Sequence, residues 1–265
     1  MAALLDVQDV TVRFGGLTAL YDVSAAVAPG EVVGVIGPNG AGKTTLFNVV
    51  CGFTRPTGGR LSWQGQPLRR HHPSRLAGLG IARTLQGLGL FPHLTVLENV
   101  MVGATRHSRA WVGSALFALP RSDRDERDLR ERALARLDAL GIADTAGRVP
   151  SQLPYGVQKR VALARALVAD PKLLLLDEPA SGLSGAEMRE LGQLIRAVRA
   201  DTSVLLVEHH MDLVMEVCDR IVVLDFGRVV ATGTPAEVRD DPRVLEAYLG
   251  ERVDAATPEV GDAHG

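Results

Sequence analysis

Cysteine and lysine are scarce in this chain of 265 residues, and aromatic side chains make up only 4% of it. The two cysteines, Cys51 and Cys218, lie far apart and show no Cys-x-x-Cys spacing. That excludes a thiolate zinc site and a disulfide framework, and it fits a reducing compartment. Only three lysines stand beside 26 arginines, a bias that reads as genomic base composition. Neither sign of charge dominates. The formal net charge of −2 gives no electrostatic reason to bind nucleic acid. Long hydrophobic runs are missing too: stretches such as 173–176 and 221–224 fall far short of the roughly 20 residues that span a bilayer. The first six residues carry neither a basic leader nor an extended apolar segment, so no signal peptide is expected. The expectation is a soluble, cytoplasmic chain that meets a membrane only through a partner. No internal repeat is visible.

What is present begins with a loop. Gly37, Pro38, Asn39, Gly40, Ala41, Gly42, Lys43 and Thr44 fill every fixed position of the pattern G-x-x-x-x-G-K-[ST]. Val32-Val33-Gly34-Val35-Ile36 before it is a short apolar run of strand type, and residues 45–50 can continue as a helix. Glycines let the backbone curl so that successive N–H groups face the β- and γ-phosphates, and the helix adds its positive dipole end there. Lys43 would reach the same phosphates, and the Thr44 hydroxyl would ligate Mg²⁺. Residues 37–45, with Thr45 opening the helix, are the predicted contacts of a nucleoside triphosphate.

Along the rest of the chain, Leu5, Val7, Val10, Val12 and Phe14 follow the alternation of half-buried strands. Residues 56–65 suggest a hairpin or short antiparallel strand. From 96 to 165 the periodicity turns helical. Leu129, Ala133, Leu137 and Leu140 fall on one face, and a charged segment spans 121–136. After that the α/β character returns. Residues 173–176 and 203–207 read as buried parallel strands, 185–199 and 210–217 as helices, and 221–232 as a hairpin turning at Phe226-Gly227. Residues 251–265 are polar and aperiodic and are expected to be disordered. The sequence therefore predicts an α/β nucleotide-binding core with an inserted helical part.

Asp177-Glu178-Pro179 directly follows the strand at 173–176. A carboxylate at the carboxyl end of a buried strand beside a phosphate loop is placed to serve Mg²⁺. Asp177 suits that role, and Glu178 can accept a proton from an attacking water.

With these motifs in place, the sequence resembles the ATP-binding cassette (ABC) ATPases over about residues 4–250. Leu153, Pro154, Tyr155, Gly156, Val157 and Gln158 stand where that family carries its Leu-Ser-Gly-Gly-Gln signature, ahead of an expected helix over 161–167. The resemblance makes Gln86 the glutamine that ligates Mg²⁺ and senses the attacking water. It makes His209 the switch histidine at the γ-phosphate, Phe14 the aromatic that stacks on adenine, and 181–184 the loop that crosses to a second cassette. It implies a P-loop NTPase core with an antiparallel β subdomain over 1–86 and 166–250, and a helical subdomain over 87–165, all within one domain of residues 1–250. It also implies ATP held between the phosphate loop of one chain and the signature of another, whose helix N-terminus faces the γ-phosphate.

Pro154 in place of the signature serine removes a hydroxyl and a backbone donor, Val157 replaces a common glutamine, and Ser184 stands where Asp or Asn is usual. These residues would act on a partner's ATP, whereas Lys43, Thr44, Gln86, Asp177, Glu178 and His209 act on the chain's own. That asymmetry points to a heterodimer, with a homodimer as the alternative. The segments 14–20, 90–100, 208–221 and 246–250 look like the ATP-binding subunits of branched-chain amino acid importers, except that His210 replaces an Asp. The implied partners are two permeases, whose cytoplasmic helix would dock near 87–92, a second cassette and, indirectly, an extracytoplasmic binding protein. The implied place is the inner face of the cell membrane. Urea or short-chain amide import is the alternative within that class. A soluble ABC ATPase of DNA repair or translation, or a non-hydrolysing regulatory cassette, fits less well: the chain has no second cassette, and Glu178 would serve little purpose in a dead site.

Overall fold

Alternate residues of the central strands face opposite ways and feed two separate cores. The computed structural model describes residues 3–68, 71–84, 88–104 and 120–254. Strands β3 (Val32–Ile36), β7 (Leu173–Asp177) and β8 (Ser203–Val207) are buried along their whole length. Val32, Ile36, Leu174, Leu176, Val204 and Leu206 enter one hydrophobic cluster, and Val33, Val35, Leu173, Leu175, Leu205 and Val207 enter the other. A strand covered on both faces needs apolar residues at every position, which is why these segments read as unbroken runs.

These strands belong to a six-stranded sheet in the order β10-β9-β3-β8-β7-β6, completed by β6 (Ile81–Arg83), β9 (Arg220–Asp225) and β10 (Arg228–Gly233). Its members pair in parallel except β10, which returns antiparallel to β9 through the expected turn at Phe226-Gly227. A second, antiparallel sheet has the order β2-β1-β4-β5, from β1 (Leu5–Phe14), β2 (Leu17–Val27), β4 (Gly58–Trp63) and β5 (Gln66–Pro67). In β1 the ladder shifts register between Val7 and Val10, and Asp9 takes a φ of 50°. This bulge returns Val10 and Val12 to the buried face already occupied by Leu5 and Val7.

The helix Lys43–Cys51 packs Leu46, Phe47 and Val50 into the cluster that β1, β2 and β4 also line. The opposite face of the large sheet carries the helices Val96–Gly103, Pro120–Ala139, Tyr155–Leu167, Gly185–Val198 and Met211–Val217. Ala133, Leu137 and Leu140 are buried there and Leu129 packs against them, as the helical spacing predicted. Each fully buried leucine stabilises the fold by about 1.5–3 kcal/mol.

Two boundaries differ from expectation. The helix expected over 161–167 begins at Tyr155, because Pro154 with φ −54° is already suited to a helix entry. The C-terminal helix Pro242–Asp254 runs into the stretch expected to be disordered from 251, since Glu251 and Arg252 are good helix formers and the next proline is Pro258. Among the described residues no helix is long and apolar enough to cross a membrane.

The register sets up the site. Val35 and Asp177 both lie opposite Val207, on either side of β8. The segments leaving β3, β7 and β8 therefore emerge together at the carboxyl edge of the sheet, where open α/β sheets bind ligands.

Candidate active site

The phosphate loop leaves β3 with Gly37 at φ 146°, where a Cβ would lie 2.0 Å from the Leu224 carbonyl oxygen. At Gly42, with φ 102°, a Cβ would lie 2.7 Å from Leu20 Cδ2 and 2.8 Å from the Ala19 carbonyl. Only glycine fits either position. Gly42 also caps the following helix, with no side-chain hydrogen bond and no acid in the first turn. Its leading N–H groups and dipole therefore face the loop interior uncompeted by a capping side chain. Lys43 is buried, and its Nζ donates to the carbonyls of Gly37 at 2.6 Å and Pro38 at 2.8 Å. This holds the ammonium inside the curl of the loop.

A cavity of about 500 Å³ opens over this loop, lined among others by Phe14, Asn39, Lys43, Thr44, Thr45 and Glu178. Phe14 is 53% exposed at its mouth, free of the core role that Phe most often has. Phe226, at the tip of the β9–β10 hairpin, lines the same cavity and is 87% exposed. In the sequence Phe226 is legible only as a turn residue. Its exposed ring adds a second aromatic surface to that cavity.

Asp177 ends β7, buried, and pairs with Arg83 Nη2 at 3.0 Å. The Arg83 guanidinium lies over the rings of Phe47 and Phe53, at 4.9 and 5.2 Å. A buried carboxylate needs such a partner, and this one comes from β6, 94 residues away. Glu178 follows at φ 46°, with its N–H donating to the Val207 carbonyl at 2.8 Å. A non-glycine residue there carries about 1–3 kcal/mol of strain, and Glu178 is among the residues that line the cavity. His209 follows β8 and is half exposed beside the buried Glu208. It is not among the residues that line the cavity. Gln86 lies outside the described residues. Burial pushes the Cys51 thiol up to about 11 and the Cys218 thiol up to about 12, so neither is a nucleophile near neutral pH.

Phosphate loop, strand-end acids and strand order agree with one family, whose ABC transporter model matches residues 20–181. The chain belongs to the ABC transporter family of ATP-binding cassettes. A second model, for the branched-chain amino acid ATP-binding cassette transporter, matches residues 228–254. The high-affinity branched-chain amino acid transport ATP-binding protein LivG of Escherichia coli (strain K12) is 42% identical over 250 residues, covering 94% of this chain and 98% of LivG. The ADP conformation of MJ1267, an ATP-binding cassette of an ABC transporter, superposes with a TM-score of 0.81 at 31% identity, covering 95% of this chain and 100% of that one. A dimeric post-hydrolysis state of the cassette MJ0796, bound to ADP and Pi, has a TM-score of 0.72 at 27% identity, covering 87% and 98%.

In this cassette the signature forms the first turn of a helix, rather than preceding one. Pro154 is the N-cap and offers no side-chain bond; its carbonyl accepts from the Gln158 N–H at 3.0 Å, and Gln158 Nε2 donates to the Leu153 carbonyl at 2.9 Å. Val157 packs against the core. The helix is tied to the segment after Glu178 at several points. Lys159 Nζ donates to the Pro179 carbonyl at 2.7 Å, and the Tyr155 ring covers Gly182. Burial lowers the Lys159 ammonium, opposed by the charges of Glu208 and Glu178. The helix that opens at Tyr155 is thereby fastened to the segment that follows Glu178.

Ser184 has a use that an absent Asp or Asn does not remove. It caps the helix Gly185–Val198 in a reciprocal box: its Oγ donates to Glu187 Oε2 at 2.7 Å and accepts from the Glu187 N–H at 3.4 Å. Asn99 was not singled out from sequence. It is fully buried, accepts from the Phe91 N–H at 2.7 Å, and donates to the carbonyls of Phe91, Leu94 and Thr95. It pins the loop 91–95 onto the helical face. An Asn inside an apolar helical stretch, Leu97 to Val102, was the available signal.

Proposed function

We propose that this chain is the ATP-binding and ATP-hydrolysing subunit of an importer for branched-chain amino acids. It would act on the inner face of the membrane with two permeases, a second cassette and, indirectly, an extracytoplasmic binding protein. The observation that carries the reading is the convergence of the Lys43 loop, Asp177-Glu178 and His209 on the ends of three adjacent parallel strands. The 42% identity to LivG across nearly the whole chain supports the choice of importer.

ATP is the substrate. The phosphate-loop N–H groups and Lys43 hold its β- and γ-phosphates, with adenine against Phe14. The donors of Thr44 and Asp177 are hydroxyl and carboxylate oxygens, a set that suits the hard cation Mg²⁺, and Gln86 would join them. When bound, that cation neutralises charge developing on the phosphates. Glu178 takes the proton of the attacking water as its oxygen bonds to the γ-phosphorus. The bond to the β,γ-bridging oxygen breaks, and ADP and phosphate result. His209 contacts the γ-phosphate from the end of β8, which requires its ring to turn toward the loop.

The signature carries Pro154 where the family has serine, so the site this chain completes on its partner is the weaker one. A heterodimer with a standard cassette follows. The test is a reconstituted complex with permeases and binding protein in liposomes: leucine should stimulate ATP turnover and enter the vesicles, and urea should do neither. Stimulation by urea alone would reassign the substrate.

A further inference from the structure

Beyond β8, two adjacent histidines share one buried carboxylate. Glu208 is fully buried; its Oε1 lies 2.5 Å from His210 Nδ1 and 3.9 Å from His209 Nδ1, while its Oε2 is 3.5 Å from the Ala180 N–H. The two imidazole rings sit 4.2 Å apart, centroid to centroid. One donor atom from each of the three residues lies within 4.8 Å of the other two, the single such trio among the described residues.

We propose that Glu208, His209 and His210 form a binding site for a divalent transition-metal ion of the zinc class. Two imidazole nitrogens and a carboxylate oxygen are the donor set of open zinc sites, with a fourth position left for water. The same nitrogens suit Mg²⁺ poorly. Donors at about 2.0–2.1 Å from a tetrahedral ion are about 3.3 Å from one another. The separations of 2.5 and 3.9 Å lie on either side of that value. The histidine side chains are 51% and 31% exposed, so their rings can adjust around the fixed carboxylate. His210 is the deciding residue, since without it one imidazole and one carboxylate remain.

A consequence rests on the function proposed above: the ion holds His209 at Glu208, away from the γ-phosphate, and slows ATP turnover. The binding itself does not depend on that reading. The test is a titration of the nucleotide-free chain with Zn²⁺ by calorimetry, and with Co²⁺ by visible absorption. The wild type should bind one ion per chain through nitrogen ligands. In H210Q, which keeps a donor to Glu208 but no imidazole, affinity should fall at least tenfold; H71A/H72A should bind as the wild type does. Absence of binding, or equal binding by H210Q, overturns the proposal. So does loss of binding in H71A/H72A. Zinc inhibition of turnover that is unchanged in H210Q would overturn the link to His209 while leaving the calorimetric result to stand or fall by itself.

Discussion

Glu187 reaches from the start of one helix to the N-terminus of another: its Oε1 lies 2.2 Å from where a Cβ of Gly156 would be. The same side chain accepts hydrogen bonds from the Ser184 N–H and Oγ, so it is held in place and cannot simply swing aside. A side chain added at Gly156 would therefore meet Glu187 of its own chain.

Replacing Gly156 by alanine should push Glu187 out of its capping box. Losing a cap costs about 0.5–2 kcal/mol, and about 2–4 °C of melting temperature goes with each kcal/mol in a chain of this size. A double-mutant cycle with Glu187→Ala checks the assignment. The alanine at 156 should cost clearly less in the E187A background, and equal costs would mean that the two residues are uncoupled.

Among the described residues Arg83 is the one ion-pair partner of Asp177, and both side chains are largely buried. Arg83→Ala leaves that carboxylate uncompensated, and the stability loss should be about 3–5 kcal/mol. Denaturant unfolding measures it. Combining R83A with Asp177→Asn should cost less than the sum of the two changes.

Phe14 and Phe226 line one cavity from different elements. If both contact the base, F14A and F226A should each weaken ATP binding by about tenfold, given that stacking on an aromatic is worth about 1–3 kcal/mol. Fluorescence titration with an ATP analogue reads this directly. An F226A chain with unchanged affinity would leave Phe14 alone in the role.

Glu98, Glu187 and Glu237 close capping boxes with Thr95, Ser184 and Thr234, and each is held below its ordinary value of 4.5 by hydrogen bonds from its capping residue. A depressed folded-state pKa stabilises the fold above the unfolded value, and that contribution fades as pH falls through the folded one. The triple variant E98Q/E187Q/E237Q should be less stable than the wild type at neutral pH. The gap should close as pH drops below 4.5, and melting curves across that range give the answer.

The sequence made local patterns visible and left distant pairings hidden. Strand β3, the phosphate loop and the Asp177-Glu178 pair were legible because each is contiguous, with glycines and charges fixed by local geometry. The Arg83–Asp177 pair was not, since its partners are 94 residues apart and only the sheet order joins them. Glu208 was hidden for a similar reason: an acid next to two histidines reads as solvated, and nothing local says that β8 carries it into the core. Phe226 was read as a turn residue because its exposure over the cavity depends on where the hairpin sits against the loop. The signature helix began six residues earlier than expected because proline and glycine look like a loop when their helix-entry geometry is unseen.

The most direct test of the account is ATP binding and ATP turnover in Glu178→Gln, assayed together with a partner cassette. Glutamine keeps the shape at 178 and removes the proton acceptor. The account predicts retained ATP binding, a dimer trapped in its closed form, and turnover at this site reduced by at least 10²-fold, the scale of general-base catalysis. Unchanged turnover in E178Q would contradict it.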